Sequence, residues 1–184
     1  GGAVVCADCN LARRVAWWAN CLGLTGSAFD SWMTSRGLRT LDVRMRQHQE
    51  NALAVAHLLD GHPAVSRVHY PGLEHHPQHR LAVAQQRGFG GIVSLELAGG
   101  KPAVRRFLNG LRLFSLAESL GGVESLVAHP ATMTHAAMSP EARRAAGIGD
   151  GLLRLSVGLE SARDLSRALT RALARAYQRE VRSA

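Results

Sequence analysis

Apolar residues set the first expectation. Leu38, Leu41, Met45, Ala52, Ala56 and Leu59 fall three, four or seven apart. Such spacing lines one face of a helix, predicted here from Asp30 to about Leu59. Gly37 sits inside that pattern at a cost of about 1 kcal/mol relative to alanine. "GHP" at 61–63 closes the helix, because the residue before a proline avoids the α region. Upstream, "GGAVVCAD" reads as a short buried strand, and Asn10 is placed to cap a helix through "LARRVAWWANCLGL". Gly23 and Gly26 then interrupt the pattern and mark the best boundary between two regions.

Downstream the period alternates. "AVSRVHY" predicts a strand stopped by Pro71-Gly72, and "PQHRLAVAQQR" a helix with Pro77 in its first turn. "GGIVSLELAGG" is a strand with Val93, Leu95 and Leu97 on one face and Ser94 and Glu96 on the other. A helix ("PAVRRFLNGL") and a strand ("LFSLAES") follow. "SPEARRAAG" opens with a good helix start, "GLLRLSVGLE" is a strand, and "SARDLSRALTRALARAYQRE" is a closing helix. Ser161 and Asp164 resemble a capping box at its start. Strands and helices alternating through short connections imply an α/β chain, with helices packed on a mixed sheet.

Composition narrows the class. The 184 residues are enough for one core and part of a second, and no apolar run approaches the length of a membrane span. The formal net charge of +8 is nearly all arginine, Lys101 being the only lysine. That charge is spread along the chain, which codon bias explains as readily as a nucleic-acid surface does. Cys6, Cys9 and Cys21 are odd in number, and residues 1 to 20 lack the pattern of a secretory signal. Both features point to a reducing, cytoplasmic setting. The Gly-Gly opening in place of methionine hints at a fragment.

Several constellations carry candidate chemistry. Leu153, Leu155, Val157 and Leu159 share one strand face, which leaves Arg154 and Ser156 on the other. Spacing alone favours a solvated or ion-paired arginine there; if the face lines a cleft, its guanidinium fork suits a carboxylate. Gly121-Gly122 is either a bulge or a place where main-chain N–H groups approach an anion, and lacks the spacing of a nucleotide loop. His75 and His79 stand four apart, as on metal-binding helices, but no third ligand is near and a structural helix start is the better reading. Cys6-x-x-Cys9 has no second pair for zinc, and His135 reads as a hydrogen-bonded loop residue. Arg163, Arg167, Arg171 and Arg175 form a stripe opposite Leu165, Leu169 and Leu173, a solvated helix face rather than a membrane or nucleic-acid surface.

Together, "GLTGSAFDSWMTSRGLRTL", "NALAVAHLL", "VHYPGLEHHPQH", "GFGGIVSLEL", "LFSLAESLGGVESLVAHPATMTHAAMSPEARRAAGI" and "LLRLSVGLE" closely resemble the carboxyl half of the pyridoxal-phosphate-dependent cysteine and methionine metabolism enzymes. The resemblance is collinear over nearly the whole chain. It implies the carboxyl-terminal α+β domain of a fold-type I enzyme, with a largely antiparallel mixed sheet covered by helices. Residues 1–27 would then be the tail of the large cofactor domain, 28–60 a long linking helix and 61–184 the small domain.

The implied cofactor is pyridoxal 5'-phosphate and the implied partners are amino-acid substrates and further copies of the chain, as a dimer of dimers. By the same resemblance, Arg154 binds the substrate α-carboxylate and the main chain of Ser119 helps hold it. Glu118 stands near the far end of the substrate, Thr134 has a supporting role in the "MTH" turn, and Glu124 is structural. The implied chemistry is γ-replacement, in which the cofactor ring takes up electrons as protons leave Cα and Cβ and a thiol replaces the γ-substituent. The family's cofactor-holding lysine lies in a serine-rich motif absent from this chain, and Lys101 does not match its position. No catalytic residue is therefore expected within the chain, and little turnover from it alone.

Overall fold

The computed structural model describes residues 3–177. The chain divides into one unit through Asp42 and a second, larger unit from Val43. The first holds helices α1 (Cys9–Leu22) and α2 (Ala28–Leu38). Asp8, not Asn10, caps α1 by accepting the N–H of Leu11 at 2.7 Å, and Gly23 ends it in the left-handed region at φ 65°. Ser27 caps α2 by accepting the N–H of Asp30 at 3.0 Å.

Two expectations fail in this unit. Residues 3–6 form no strand and are mostly exposed, while Gly1 and Gly2 lie outside the described residues. Helix α1 begins at Cys9, and among the described residues no strand pairs with "AVVC". The single helix expected from Asp30 to Leu59 is also two: α2 ends at Leu38, and α3 (Leu41–Leu59) begins after a turn at Arg39-Thr40. Gly37 weakens the end of α2, and none of α2 is buried, so packing within the unit does not offset that weakness.

The second unit is built on five strands: β1 (Val65–His69), β2 (Ile92–Leu97), β3 (Ser115–Leu116), β4 (Leu126–Ala128) and β5 (Leu152–Ser156). Their order is β1-β2-β5-β4-β3, antiparallel except for the β3–β4 pair. The strand expected through "LFSLAES" shrinks to two residues, because the chain leaves the sheet after Leu116 to form a turn. Helices α4 (His79–Gln85), α5 (Gly100–Leu108), α6 (Pro140–Ala145) and α7 (Ala162–Tyr177) complete the unit; the end of the closing helix expected past Tyr177 lies outside the described residues.

Alternation on β2 and β5 decides where the core lies. Val93, Leu95, Leu97, Leu153, Leu155 and Val157 are all buried in one cluster with Phe107 of α5, Leu165, Leu169 and Leu173 of α7, and Val55 and Leu59 of α3. The opposite face therefore carries Ser94, Glu96, Arg154 and Ser156.

The arginine stripe of α7 is only partly a solvated face. Arg175 is half-buried, its Nε 3.4 Å from the carbonyl of Arg106 and its Nη2 3.4 Å from that of Phe107. Arg106 in return donates Nη2 to the carbonyl of Ala176 at 3.3 Å. Arg175 thus meets the carbonyl-rich end of α5, where the backbone dipoles favour positive charge.

Tyr70, just past β1, is fully buried; its hydroxyl donates to the carbonyl of Gly90 at 3.0 Å, and its ring meets Phe89 edge-on. Burial pushes the Tyr70 phenol up to about 12. The folded state therefore keeps a proton that the unfolded chain loses near pH 10. Stability from this group is complete below pH 10 and falls as pH rises toward 12. Denaturant midpoints across that range are expected to decline in the native chain and to decline less in Tyr70→Phe.

Candidate functional site

Arg154 lies at the middle of the polar face, paired across the sheet with Ser94 of β2 and Ala128 of β4. Its guanidinium leans out of the sheet toward the turn after β3. Nη2 donates to the carbonyl of Glu118 at 2.9 Å and to that of Ser119 at 3.2 Å. Nε is buried and has no partner. Among the described residues no carboxylate forms an ion pair with Arg154. A permanently charged fork is thus held only by neutral carbonyls, with a donor left over on the edge that a carboxylate engages with both oxygens.

The turn itself is pinned along its length. The N–H of Ala117 donates to Val127 O at 3.0 Å, and the N–H of Gly121 to Ser156 Oγ at 2.9 Å. Gly121 has φ 76°, a conformation that costs a side-chain-bearing residue energy and glycine none. The N–H of Leu159 donates to Val123 O at 2.8 Å. Glu118 and Ser119 keep their side chains exposed. Glu124, also exposed, folds its carboxylate over Gly122, where an added Cβ would meet Oε1 at 2.6 Å.

Three of the four residues named from the sequence therefore converge. Arg154, Glu118 and Ser119 meet on the polar face of the sheet, at the middle of β5. Thr134 joins them by no hydrogen bond: it is exposed, and its Oγ1 lies 2.8 Å from Nδ1 of His135, the next residue.

What holds the surroundings was missed in the sequence. His129, after β4, is buried; its Nε2 donates to Asp150 O at 3.1 Å, which leaves Nδ1 to accept from the Thr132 hydroxyl at 2.8 Å. Ser125 and Glu160 form a second hidden pair, with Ser125 N 2.8 Å from Glu160 Oε1 and Ser125 Oγ 2.8 Å from Oε2. No spacing rule connects these pairs to the arginine, since they meet only through the sheet.

The histidine-rich "EHHPQH" segment serves elsewhere. His79 turns Nδ1 to Pro71 O at 2.7 Å and stacks on Phe89, whereas His75 faces Asp60 at 3.6 Å. The pair spaced by four thus shares no ligand, and the described residues contain no group of three or more metal-binding side chains. A cavity of about 440 Å3 does lie beside His69, His75, His76 and Arg67. Burial, then the neighbouring His69, His75, His79 and Arg67, hold His76 below the usual imidazole range.

Lys101 is exposed in the first turn of α5, the helix whose Ala103, Val104 and Phe107 pack into the core with Leu153 and Leu155, on the face of the sheet opposite Arg154. Among the described residues no lysine shares the face of Arg154, and they do not by themselves fit a cofactor held through a lysine. What they offer is a place for an anion.

Comparison with known proteins identifies the class. Residues 1–174 match the family described as Cys/Met metabolism PLP-dependent enzyme, and the chain belongs to it. Pyridoxal phosphate is thereby the cofactor of the family. The chain is 64% identical to a cystathionine gamma-synthase from Xanthomonas oryzae pv. oryzae, solved in complex with aminoacrylate and cysteine, with a TM-score of 0.89 over 94% of this chain. It is 52% identical to cystathionine gamma-synthase of Escherichia coli over 89% of its length, and 49% identical to cystathionine beta-lyase of Coxiella burnetii over 90%. It spans 44%, 42% and 43% of those three proteins, less than half of each.

Gly158 sets the closeness of this site. A Cβ there would lie 2.5 Å from Val123 O and 2.6 Å from the carbonyl carbon of Glu124, both backbone atoms, and against Glu160 Oε2. Gly158→Ala must therefore push the turn away from β5, a strain of about 1–3 kcal/mol. Denaturant unfolding is expected to read that loss, whereas Gly149→Ala, with nothing within 4 Å, leaves stability within about 0.5 kcal/mol.

Proposed function

We propose that the chain is the carboxyl-terminal, substrate-holding part of a pyridoxal-phosphate-dependent cystathionine gamma-synthase. The proposed reaction replaces the succinyl group of O-succinyl-L-homoserine by L-cysteine to give cystathionine. The observation that carries this reading is Arg154: a half-buried guanidinium with an unpartnered Nε, no ion-pair partner among the described residues, and the 118–119 turn against it. In this reading Arg154 binds the α-carboxylate, exchanging neutral carbonyl contacts for charge-assisted ones. Fixing that carboxylate orients Cα, an effect that can supply several kcal/mol of rate enhancement. Ser119 contributes main chain to the same anion, Glu118 faces the distal end of the substrate, and Thr134 supports the neighbouring turn. Residues 28–60 link this domain, 61–184, to the cofactor-bearing part.

The cofactor's own chemistry is to accept electrons from the substrate, and it needs an amine that this chain does not bring to Arg154. The chain alone with pyridoxal phosphate is therefore expected to show no borohydride-sensitive yellow absorption and no turnover. Association with further copies is also part of the reading. It is supported by Trp17, Trp18, Phe29 and Trp32, which are 54–68% exposed in the first unit.

Proteins named cystathionine gamma-lyase and O-succinylhomoserine sulfhydrylase match this chain too. The synthase is preferred because the 64% and 52% relatives carry that name. A chimera tests the choice: this chain replaces the matching part of the Escherichia coli relative, which retains its own upstream residues. The expected result is cystathionine formed from O-succinyl-L-homoserine and cysteine faster than 2-oxobutyrate or pyruvate is released from cystathionine. Arg154→Gln in that chimera should lower kcat/KM at least a hundredfold. Faster breakdown of cystathionine assigns a lyase, and an unchanged kcat/KM removes Arg154 from the site.

A further inference from the structure

The exit of β5 is gripped from two sides. From α3, His48 donates Nδ1–H to Val157 O at 2.6 Å, and Asn51 donates its amide to Gly158 O at 2.9 Å and Glu160 O at 2.8 Å. From the substrate turn, Ser125 binds both oxygens of Glu160, while its hydroxyl also accepts the N–H of Gly158 at 2.8 Å. An ionised carboxylate only accepts, so the Ser125 proton must point at Glu160. That leaves the Ser125 lone pairs for Gly158. Ser125 is fully buried, and these bonds are shielded from water.

The polarity of this relay joins the two ends of the site. Arg154 sits on β5 before the junction; Glu118, Ser119 and Gly121 lie on the turn that Ser125 ends. We infer that Glu160, acting through Ser125, is a positioning residue that fixes the 118–123 turn over Arg154 and so sets the geometry in which a substrate carboxylate is bound. The inference rests on the carboxylate role proposed above for Arg154. Glu160 does not touch the substrate. It acts at a distance, by holding the two strands of the site in register.

Glu160→Gln tests this with little change in volume. The neutral amide keeps an oxygen for the Ser125 N–H. Its nitrogen can face the Ser125 hydroxyl only by donating to the hydroxyl oxygen's second lone pair, so the hydroxyl proton loses the charged acceptor it has in the native chain. Both contacts weaken. Amide hydrogen exchange of the chain, followed by NMR, is expected to quicken at least tenfold at Gly121, Ser125 and Leu159. Exchange at Val93 and Leu155 in the β2–β5 pair should be unchanged. The dissociation constant for O-succinyl-L-homoserine, read in every variant from shifts of the Glu118 and Ser119 amides, should rise about tenfold. Uniform acceleration of loop and core would show a purely global effect and overturn the inference, as would unchanged loop exchange.

Further variants separate the possible failures. Ser156→Ala removes only the acceptor of the Gly121 N–H, and should free Gly121 without freeing Ser125. If Glu160→Gln does not fold, Ser125→Ala, which removes the hydroxyl contact to Glu160 and keeps the main-chain one, takes its place; Gly121 and Leu159 amides as protected as before would then overturn the inference. Arg154→Gln should abolish binding and leave the Ser125 and Leu159 amides protected. If Arg154→Gln abolishes binding but a loosened turn in Glu160→Gln leaves affinity unchanged, the positioning role falls and the carboxylate reading stands. If Arg154→Gln binds as before, the carboxylate reading itself falls, whatever the turn does.

Discussion

The arrangement depends on a single constraint: successive side chains of β5 point to opposite faces of the sheet. Burial of Leu153, Leu155 and Val157 against α5 and α7 is the strong preference, each side chain contributing about 1.5–3 kcal/mol of transfer free energy. Arg154 and Ser156 have no choice but the other face. A slip of one residue in the β2–β5 register would bury a guanidinium and expose three core residues together. The hydrophobic core thereby fixes the direction of the one side chain on which the proposed chemistry rests.

Position along that face is a separate matter, decided by hydrogen bonds rather than by area. The turn from Ala117 to Ser125 buries little apolar surface; Leu120 and Val123 remain 55% and 54% exposed. Its shape comes from Gly121, which accepts a left-handed backbone, and from Gly158, which lets main chain meet main chain. Ser125, Ser156 and Glu160 then supply partners for N–H groups that such close approach would leave stranded. A segment held this way is specific in geometry and modest in stability, a combination suited to a wall that receives a ligand.

The cofactor and the carboxylate make separate demands. The family is defined by pyridoxal phosphate, and the chain's one lysine opens α5, on the other face of the sheet from Arg154. The chain spans under half of its relatives. On the function proposed above, its contribution is orientation, with Arg154 fixing the carboxylate end of an amino acid.

Much of this was legible in one dimension. The alternation in "GGIVSLELAGG" and "LLRLSV" places Arg154 on the face opposite the apolar residues, and helical spacing locates α5 and α7. Local rules failed where they competed with context. "AVVC" has the composition of a strand but no partner strand among the described residues, and the apolar period from Leu38 to Leu59 runs across a turn that Gly37 permits. The stripe of arginines looked uniform, yet Arg175 alone reaches the end of α5. The sequence by itself determined which residues face inward, because burial follows a local period. Only the tertiary structure decided that Ser125 meets Glu160 and that Arg154 meets Glu118 and Ser119. Those partners are 35 or 36 positions apart, and no periodicity reaches across a folded sheet.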